Sequence, residues 1–356
     1  MTGLESLLLL LAAGLAVPFV LGFAGILYLA IKYTSKIVRI FEDRPVFMPL
    51  KVAPAGDGES LGFPADDGVR LSGTYFKART SLRVGVLVYC HEFLSDRWSF
   101  QPYIDHLRDV GFDVFSFDFR NHGESERQPD YEPLQWVSDR EVRDLKGALR
   151  YLRSRPDRDP AGFGLFGVSR GGTVGLFAAA DEPDVWGVIT DGAFPTRGTM
   201  VPYIVRWAEI YVPTQWIRKV VPHWVYEILA WVARRHSERR LGCRFQNVES
   251  AVSRLAPRPW LMIHGARDVY IGPEIAQALF AYGDGPKEFW LVPDAKHNRC
   301  RQADPDAYAE RVLAFLAAYA PRRPLARPAI AVSRTAAASV TLAPEVAPAQ
   351  PSPIPG

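Results

Sequence analysis

Cysteine is scarce in this 356-residue chain, which contains only Cys90, Cys243 and Cys300. Three widely spaced cysteines fit neither a disulfide framework nor a zinc site, and their scarcity favours a reducing compartment. A strong net charge is missing as well, because 42 Lys and Arg residues offset 39 Asp and Glu residues and leave +3. A charge this small gives no indication of nucleic-acid binding, so we expect no nucleic-acid partner.

One long uncharged run stands out against this balanced composition. Residues 6–31 contain no Asp, Glu, Lys or Arg, and as a helix they would extend about 39 Å, longer than the hydrocarbon core of a bilayer. A cleaved signal peptide is the weaker interpretation, because the run lacks a basic N-terminal region and a convincing cleavage site. Residues 1–35 are therefore predicted to form a single-pass transmembrane anchor.

The charges that flank this run predict its orientation. Basic residues follow the run rather than precede it, and the positive-inside rule then places the bulk of the chain on the cytoplasmic side. They are Lys32, Lys36, Arg39, Arg44 and Lys51. Residues 36–64, rich in Pro and Gly, are expected to form an extended linker. Residues 321–356, rich in Pro and Ala, are expected to be a disordered tail.

Between linker and tail, residues 65–320 alternate between strand and helix patterns. The continuous apolar run 84–89 predicts a central parallel strand, whereas 69–75 alternates like a half-buried antiparallel strand. In 139–153 the apolar residues share one helical stripe. Further strands are predicted at 112–118, 163–167, 185–190, 259–263 and 288–292, and helices at 100–110, 174–180 and 306–320. This alternation predicts an α/β fold with a doubly wound, mostly parallel sheet and functional groups at the carboxyl ends of its strands.

Residues 195–256 interrupt the alternation and are predicted to form a helical cap. Four of the nine tryptophans fall in this segment, namely Trp207, Trp216, Trp224 and Trp231. Trp224, Ile228 and Trp231 recur at helical spacing and form one apolar face. Three interpretations stay open: the face packs on the sheet domain, shapes an acyl or leaving-group pocket, or rests on a membrane surface beside basic residues.

The main chemical motif is Gly167-Val-Ser169-Arg-Gly171, which lies between an apolar run and a helix-compatible run. A G-x-S-x-G turn between strand and helix raises the serine hydroxyl above the sheet edge. The helix that follows offers backbone N–H groups and a partial positive charge to an oxyanion. Ser169 is therefore the candidate nucleophile.

A serine hydroxyl needs a base, usually histidine, and a carboxylate that orients the base. Among seven histidines, His297 is the candidate because it follows the last predicted strand. Asp268 follows the strand 259–263 and is the favoured acid, with Asp191 as the alternative. The order Ser169, Asp268, His297 is the one expected of this architecture.

Four motifs together resemble the α/β-hydrolase superfamily. They are Gly167-Val-Ser-Arg-Gly171, Asp118-Phe-Arg-Asn-His122-Gly-Glu-Ser125, His264-Gly-Ala-Arg-Asp268 and the late His297. The resemblance covers about 69–320 outside the cap. It implies a hydrolase that needs no metal or other cofactor. It also implies that the backbone N–H groups of Phe93 and Arg170 form the oxyanion hole.

The oxyanion loop departs from the usual pattern. Glu92 stands where relatives carry glycine, and its side chain is expected to point outward and pair with Arg97 or Arg120. An inward carboxylate would repel an oxyanion. The motif 118–125 is expected to be a structural turn without a catalytic role.

These patterns predict a membrane-anchored serine hydrolase that cleaves an ester or thioester with an apolar acyl chain. The expected partners are a small acyl ester or lipid-like substrate and, through the N-terminal helix, a membrane. The alternatives are a peptidase or acyltransferase of the same fold, or a non-catalytic binding protein. A dehalogenase or epoxide hydrolase is disfavoured, because it would need aspartate at position 169.

Overall fold

Eight strands form one sheet in the order β1-β2-β4-β3-β5-β6-β7-β8. The computed structural model describes residues 3–43, 49–211 and 221–322. The strands are β1 Glu59–Pro64, β2 Arg70–Phe76, β3 Gly85–Cys90, β4 Phe112–Phe117, β5 Phe163–Val168, β6 Val185–Asp191, β7 Trp260–Gly265 and β8 Lys287–Val292. β2 pairs antiparallel with β1 and β4, and all later pairings are parallel. The predicted α/β fold with a mostly parallel sheet is confirmed.

Helices cover both faces of the sheet and form the insertion before β7. The described helices are α1 Gly3–Glu42, α2 Phe100–Ile104, α3 Asp139–Ser154, α4 Arg170–Asp181, α5 Thr196–Tyr211, α6 His223–Leu241, α7 Val248–Val252, α8 Pro273–Ala281, α9 Cys300–Ala303 and α10 Pro305–Tyr319. α2 continues into a 3₁₀ turn, Asp105–Val110. Ser138 and Glu141 form a capping box that fixes the start of α3. The apolar stripe predicted for α3 is buried against the sheet.

The burial of the central strands explains why their sequences are continuous apolar runs. Every residue of β3, β4 and β5 is buried, since helices cover both faces of the sheet there. β1, in contrast, is mostly exposed and pairs with one neighbour only. Its weak apolar content explains why this edge strand was not predicted.

The N-terminal helix reaches further than the predicted anchor and docks on the domain. α1 continues to Glu42, and Ile37, Val38 and Phe41 are buried in a cluster with cap residues. The Phe41 ring stacks on Trp136 with 5.2 Å between centroids, and the Trp136 indole N–H donates to the Phe41 carbonyl at 2.7 Å. Residues 36–64 are therefore not an extended linker throughout: they contain the end of α1 and the strand β1.

Some predictions for the termini and the cap fall on parts of the chain without described structure. Trp216 and all but the first two residues of the predicted tail 321–356 lie outside the described residues. Across the described part of the chain, no helix combines the length and apolarity that crossing a bilayer requires. The single-pass anchor therefore stays a prediction.

The helices α5, α6 and α7 occupy the segment predicted as a cap, but the tryptophan face of α6 points outward. Trp224, Ile228 and Trp231 are 49%, 40% and 56% exposed. The opposite side of α6 is buried, including Val225, Leu229, Ala230 and Ala233. The interpretation that the tryptophan face packs on the sheet domain is thus wrong. α6 carries two apolar stripes, and the smaller residues form the one that packs.

Candidate active site

The candidate nucleophile lies on a strained turn between β5 and α4. Ser169 has φ 51° and ψ −121°, a conformation unusual for a residue with a side chain. The flanking glycines make the turn possible: a Cβ at Gly171 would lie 2.2 Å from the Cys90 carbonyl oxygen. The Ser169 N–H donates to the Asp191 carbonyl on the neighbouring strand at 2.7 Å. Sheet pairing and close packing thus hold the hydroxyl in place despite the strained backbone.

Three predicted side chains meet at the carboxyl edge of the sheet. Ser169 Oγ lies 2.9 Å from His297 Nε2, and His297 Nδ1 lies 2.5 Å from Asp268 Oδ2. Because a carboxylate can only accept, Nδ1 is the donor and Nε2 is left to accept from the hydroxyl. The arrangement can therefore move a proton from Ser169 to His297.

The Asp268 carboxylate is fixed on its other side by backbone donors. The N–H groups of Tyr270 and Ile271 donate to Asp268 Oδ1 at 2.9 and 2.8 Å. Burial acts to raise the pKa of Asp268, but the charge and hydrogen bond of His297, the charge of His264 and the Ile271 N–H outweigh it, so the pKa lies below its ordinary value. His264 supports the loop, because its Nε2 donates to the Ile271 carbonyl at 3.0 Å. Asp268 is consequently held ionised beside the histidine.

Asp191, the alternative acid, has a different environment. Its carboxyl is buried at the end of β6 and accepts from the Tyr308 hydroxyl at 3.1 Å. Burial raises the pKa of Asp191 to about 6, against the opposing effects of Cys300, Tyr308 and His297. The structure thus brings Asp268, and not Asp191, into hydrogen-bond contact with His297.

The two residues expected to supply oxyanion donors are packed against each other. Arg170 begins α4, and its fully buried guanidinium lies 5.0 Å above the ring of Phe93. The same guanidinium donates to the Leu134 carbonyl at 2.9 Å and lies 3.3 Å from His122 Nε2. This side-chain role of Arg170 was not predicted, since the motif only indicated its backbone N–H.

The His91 side chain fixes the oxyanion loop through two hydrogen bonds. The Phe119 N–H donates to His91 Nε2 at 3.1 Å, so His91 Nδ1 is the donor to the Glu92 carbonyl at 2.7 Å. Burial lowers the pKa of His91 to about 3. His91 is therefore a neutral structural residue that ties the loop to the strand end.

Glu92 points inward, contrary to the prediction. Its side chain is buried, with 2% of the residue exposed, and its Oε1 accepts from the Leu50 N–H at 3.1 Å. Its expected partners are engaged elsewhere: Arg97 pairs with Asp118 and Glu124, and Arg120 pairs with Asp144 and Asp67. The partner that decided the orientation is a backbone group 42 residues away, which no local pattern indicates.

The turn 118–125 has the structural character expected of it. The Asp118 carboxylate accepts from the Arg97 and Glu124 N–H groups at 2.6 and 2.9 Å. The Ser125 hydroxyl closes the turn by donating to the Asp118 carbonyl at 2.6 Å. These bonds fix the turn within the scaffold.

Comparisons with known proteins show what this chain is similar to. The family described as Alpha/beta hydrolase family matches residues 87–311. The uncharacterized protein YfhR of Escherichia coli is 25% identical over 264 residues, covering 72% of this chain and 80% of YfhR. The thiohydrolase aneE of Aspergillus aculeatus is 30% identical over 286 residues, covering 65% of this chain and 84% of aneE. An esterase from Pyrococcus furiosus shares the fold, with a TM-score of 0.57 and 21% identity over 78% of this chain and all of that one.

Proposed function

This chain belongs to the Alpha/beta hydrolase family, and from that premise we propose that it is a serine hydrolase that cleaves a carboxylic ester or thioester. The observation that carries the proposal is the hydrogen-bonded series from Ser169 Oγ through His297 to Asp268. An intact series of this kind at the carboxyl edge of the sheet favours catalysis over the non-catalytic alternative.

The proposed reaction proceeds through an acyl-enzyme. Ser169 Oγ attacks the acyl carbonyl carbon while His297 Nε2 takes the hydroxyl proton, and the carbonyl oxygen becomes an oxyanion near the N–H groups of Phe93 and Arg170. His297 then gives that proton to the leaving alcohol or thiol. Water attacks the acyl-enzyme with His297 again as base, and the acid product leaves as Ser169 regains its proton. Asp268 keeps His297 in the required tautomer throughout.

An apolar acyl chain is the proposed substrate feature, and the cap supports it. Tyr203 on α5 donates its hydroxyl to the Tyr270 carbonyl at 3.0 Å, and the Tyr270 ring lies 6.1 Å from the His297 ring. Met200 and Ile204 of the cap are buried in one cluster with Phe194 and with Ile271, which follows Asp268 in the chain. A thiohydrolase among the relatives and an esterase among the structural neighbours are compatible with either acyl bond.

A fluorophosphonate probe tests the proposed nucleophile. The wild-type protein is expected to be labelled and Ser169→Ala is not, because only an activated serine reacts with this electrophile. Turnover is then compared on matched oxyesters and thioesters of increasing acyl length, where longer chains should give the higher kcat/KM.

Ser253→Ala is the matched control, since Ser253 is exposed and its hydroxyl donates to the nearby Ser250 carbonyl. This variant should label like the wild type. Folded wild-type protein that is not labelled would reject the hydrolase proposal and leave the binding-protein alternative.

We also propose that the N-terminal helix and the tryptophan face of α6 hold the enzyme on the cytoplasmic side of a membrane. α1 exposes large apolar residues such as Phe19, Phe23 and Ile31. Arg240 at the end of α6 pairs with Glu42 at the end of α1 at 2.6 Å. Because the two helices also pack along each other, they run in the same direction, and the tryptophans near the start of α6 lie toward the apolar part of α1. Apolar faces edged by basic residues are typical of membrane contact.

Extraction of a membrane fraction tests this second proposal. Detergent should release the protein and high salt should not, because apolar burial rather than charge holds it. The double variant Trp224→Ala, Trp231→Ala should bind vesicles more weakly, whereas Tyr282→Ala, which removes an exposed aromatic at the end of α8, should not. Release of the wild type by salt alone would contradict the proposal.

A further inference from the structure

The segment between α1 and β1 is fastened onto the oxyanion loop. The Leu50 N–H donates to Glu92 Oε1 at 3.1 Å, and the Ser95 hydroxyl donates to the Leu50 carbonyl at 2.7 Å. Lys51 adds an ion pair with Asp96 at 3.0 Å. Both backbone groups of Leu50 are thus bonded to side chains of one loop, and that loop contains Phe93.

Few neighbouring groups offset the negative charge that an ionised Glu92 carboxyl would carry in this position. In the described part of the chain, Glu92 Oε2 has no hydrogen-bond partner. Burial, reinforced by the charge of Asp96, raises the pKa of Glu92 to about 7, while its own N–H, the Leu50 N–H and His297 oppose the rise. Glu92 also interacts with the hydroxyls of Tyr89 on β3 and Tyr103 on α2.

We propose that Glu92 is a positioning residue that holds the oxyanion loop through its hydrogen bond to Leu50, and that the site is active when this carboxyl is protonated. The two hydrogen bonds of Leu50, one to Glu92 and one to Ser95, form a clasp on the loop. The inference rests on the proposed hydrolase function. The clasp connects Phe93, a proposed oxyanion donor, to the segment that follows α1. Without the clasp, Leu50 would no longer hold the loop in place.

The requirement for a proton follows from charge. An ionised Glu92 would repel the oxyanion that forms beside Phe93, and in a buried site this repulsion is weakly screened. Catalysis should therefore decline as the pH rises through the range in which Glu92 ionises.

Two variants separate the clasp from the charge. Glu92→Gln keeps an oxygen acceptor for the Leu50 N–H but cannot ionise, so its kcat should not decline at alkaline pH. If only the protonated wild-type enzyme is active, the ratio of variant to wild-type kcat should rise about fifteenfold between pH 7 and pH 8.5. Ser95→Ala breaks the second bond of the clasp and leaves Glu92 in place. It should lower kcat several-fold at every pH, with KM and the shape of the pH profile unchanged.

Glu59→Gln is the matched control, because Glu59 is exposed on β1 and pairs with Arg155. Its profile should match that of the wild type. A Glu92→Gln profile that keeps the wild-type alkaline decline, or a wild-type rate that stays constant to pH 8.5, would overturn the charge requirement. Wild-type kcat in Ser95→Ala would overturn the clasp. Fluorophosphonate labelling of the wild type and Ser169→Ala, run alongside, shows separately whether the hydrolase proposal itself has failed.

Discussion

β6 ends at an aspartate and another aspartate follows β7, and the pKa values of these two carboxyls are shifted in opposite directions. Asp191 and Asp268 are both buried and follow neighbouring strands. Asp268 receives two backbone N–H bonds and faces His297, and its pKa is lowered. Asp191 accepts from the Tyr308 hydroxyl, and burial raises its pKa to about 6. A position at the sheet edge is therefore not sufficient for a carboxylate to remain ionised and orient a histidine. The hydrogen-bond donors around the carboxylate determine its ionisation.

The largest expected contrast between the two carboxyls is in catalysis. Asp268→Asn should reduce kcat about 10³–10⁴-fold, because an amide can leave His297 in the wrong tautomer and cannot stabilise its imidazolium form. Asp191→Asn should stay within a few-fold of the wild type. Steady-state kinetics on one soluble ester at fixed pH measures both.

Thermal melts of both variants are the control for folding. Equal loss of kcat in two well-folded variants would mean that both carboxyls contribute to catalysis.

The second contrast is the pH dependence of stability. The pKa of Asp191 is higher in the folded protein than its unfolded value near 4. Its contribution to stability is therefore fully present below pH 4 and is lost as the pH rises through about 6. By linkage, this loss amounts to about 3 kcal/mol for two pH units. Asp268, with its lowered pKa, acts in the opposite sense: its contribution is present at neutral pH and is lost in acid.

Urea unfolding of the wild type and Asp191→Asn at pH 4.5 and pH 7.5 measures this contrast. The difference in unfolding free energy between the two pH values should shift by about 2–3 kcal/mol in the variant. Parallel curves would show that Asp191 does not titrate in this range. Asp144, whose pKa burial also raises to about 6, remains in both proteins and cancels from the difference.

The smallest expected effect concerns the hydroxyl that bonds Asp191. Tyr308→Phe removes that donor and should cost about 1–2 kcal/mol of stability, because a buried acceptor loses its partner. kcat should change less than twofold, since the bond that is lost is to Asp191 and not to Asp268 or His297. Tyr319→Phe, at the exposed end of the same helix, should change neither; a large loss of kcat in Tyr308→Phe would mean that Asp191 contributes to catalysis.

The contacts of the N-terminal region show where sequence patterns stop being informative. The run 6–31 is conspicuous, yet the residues that dock α1 follow it: Phe41 stacks on Trp136, 95 residues away along the chain. Composition cannot indicate such a partner, because both side chains are ordinary apolar residues. The same limit applies to α6, where two apolar stripes compete and only packing selects Leu229 over Trp231 for burial.

The candidate site was largely accessible from the sequence, since strand ends in a parallel sheet meet at one edge. Ser169, Asp268 and His297 each follow a strand pattern, and the structure brings them within hydrogen-bond distance. The order of the motifs favoured Asp268 over Asp191, but the backbone N–H groups of Tyr270 and Ile271 that hold its carboxylate were not indicated by any pattern.

The strand and helix alternation, the serine turn and the residues available to a proton relay could all be predicted from the sequence, because they depend on periodicity and order along the chain. Tertiary structure alone decided the inward orientation of Glu92, the burial of the Arg170 side chain and the docking of α1. Each of these depends on a partner from a distant part of the chain. Since burial free energy and hydrogen bonding are set by such neighbours, they emerge only when the chain has folded.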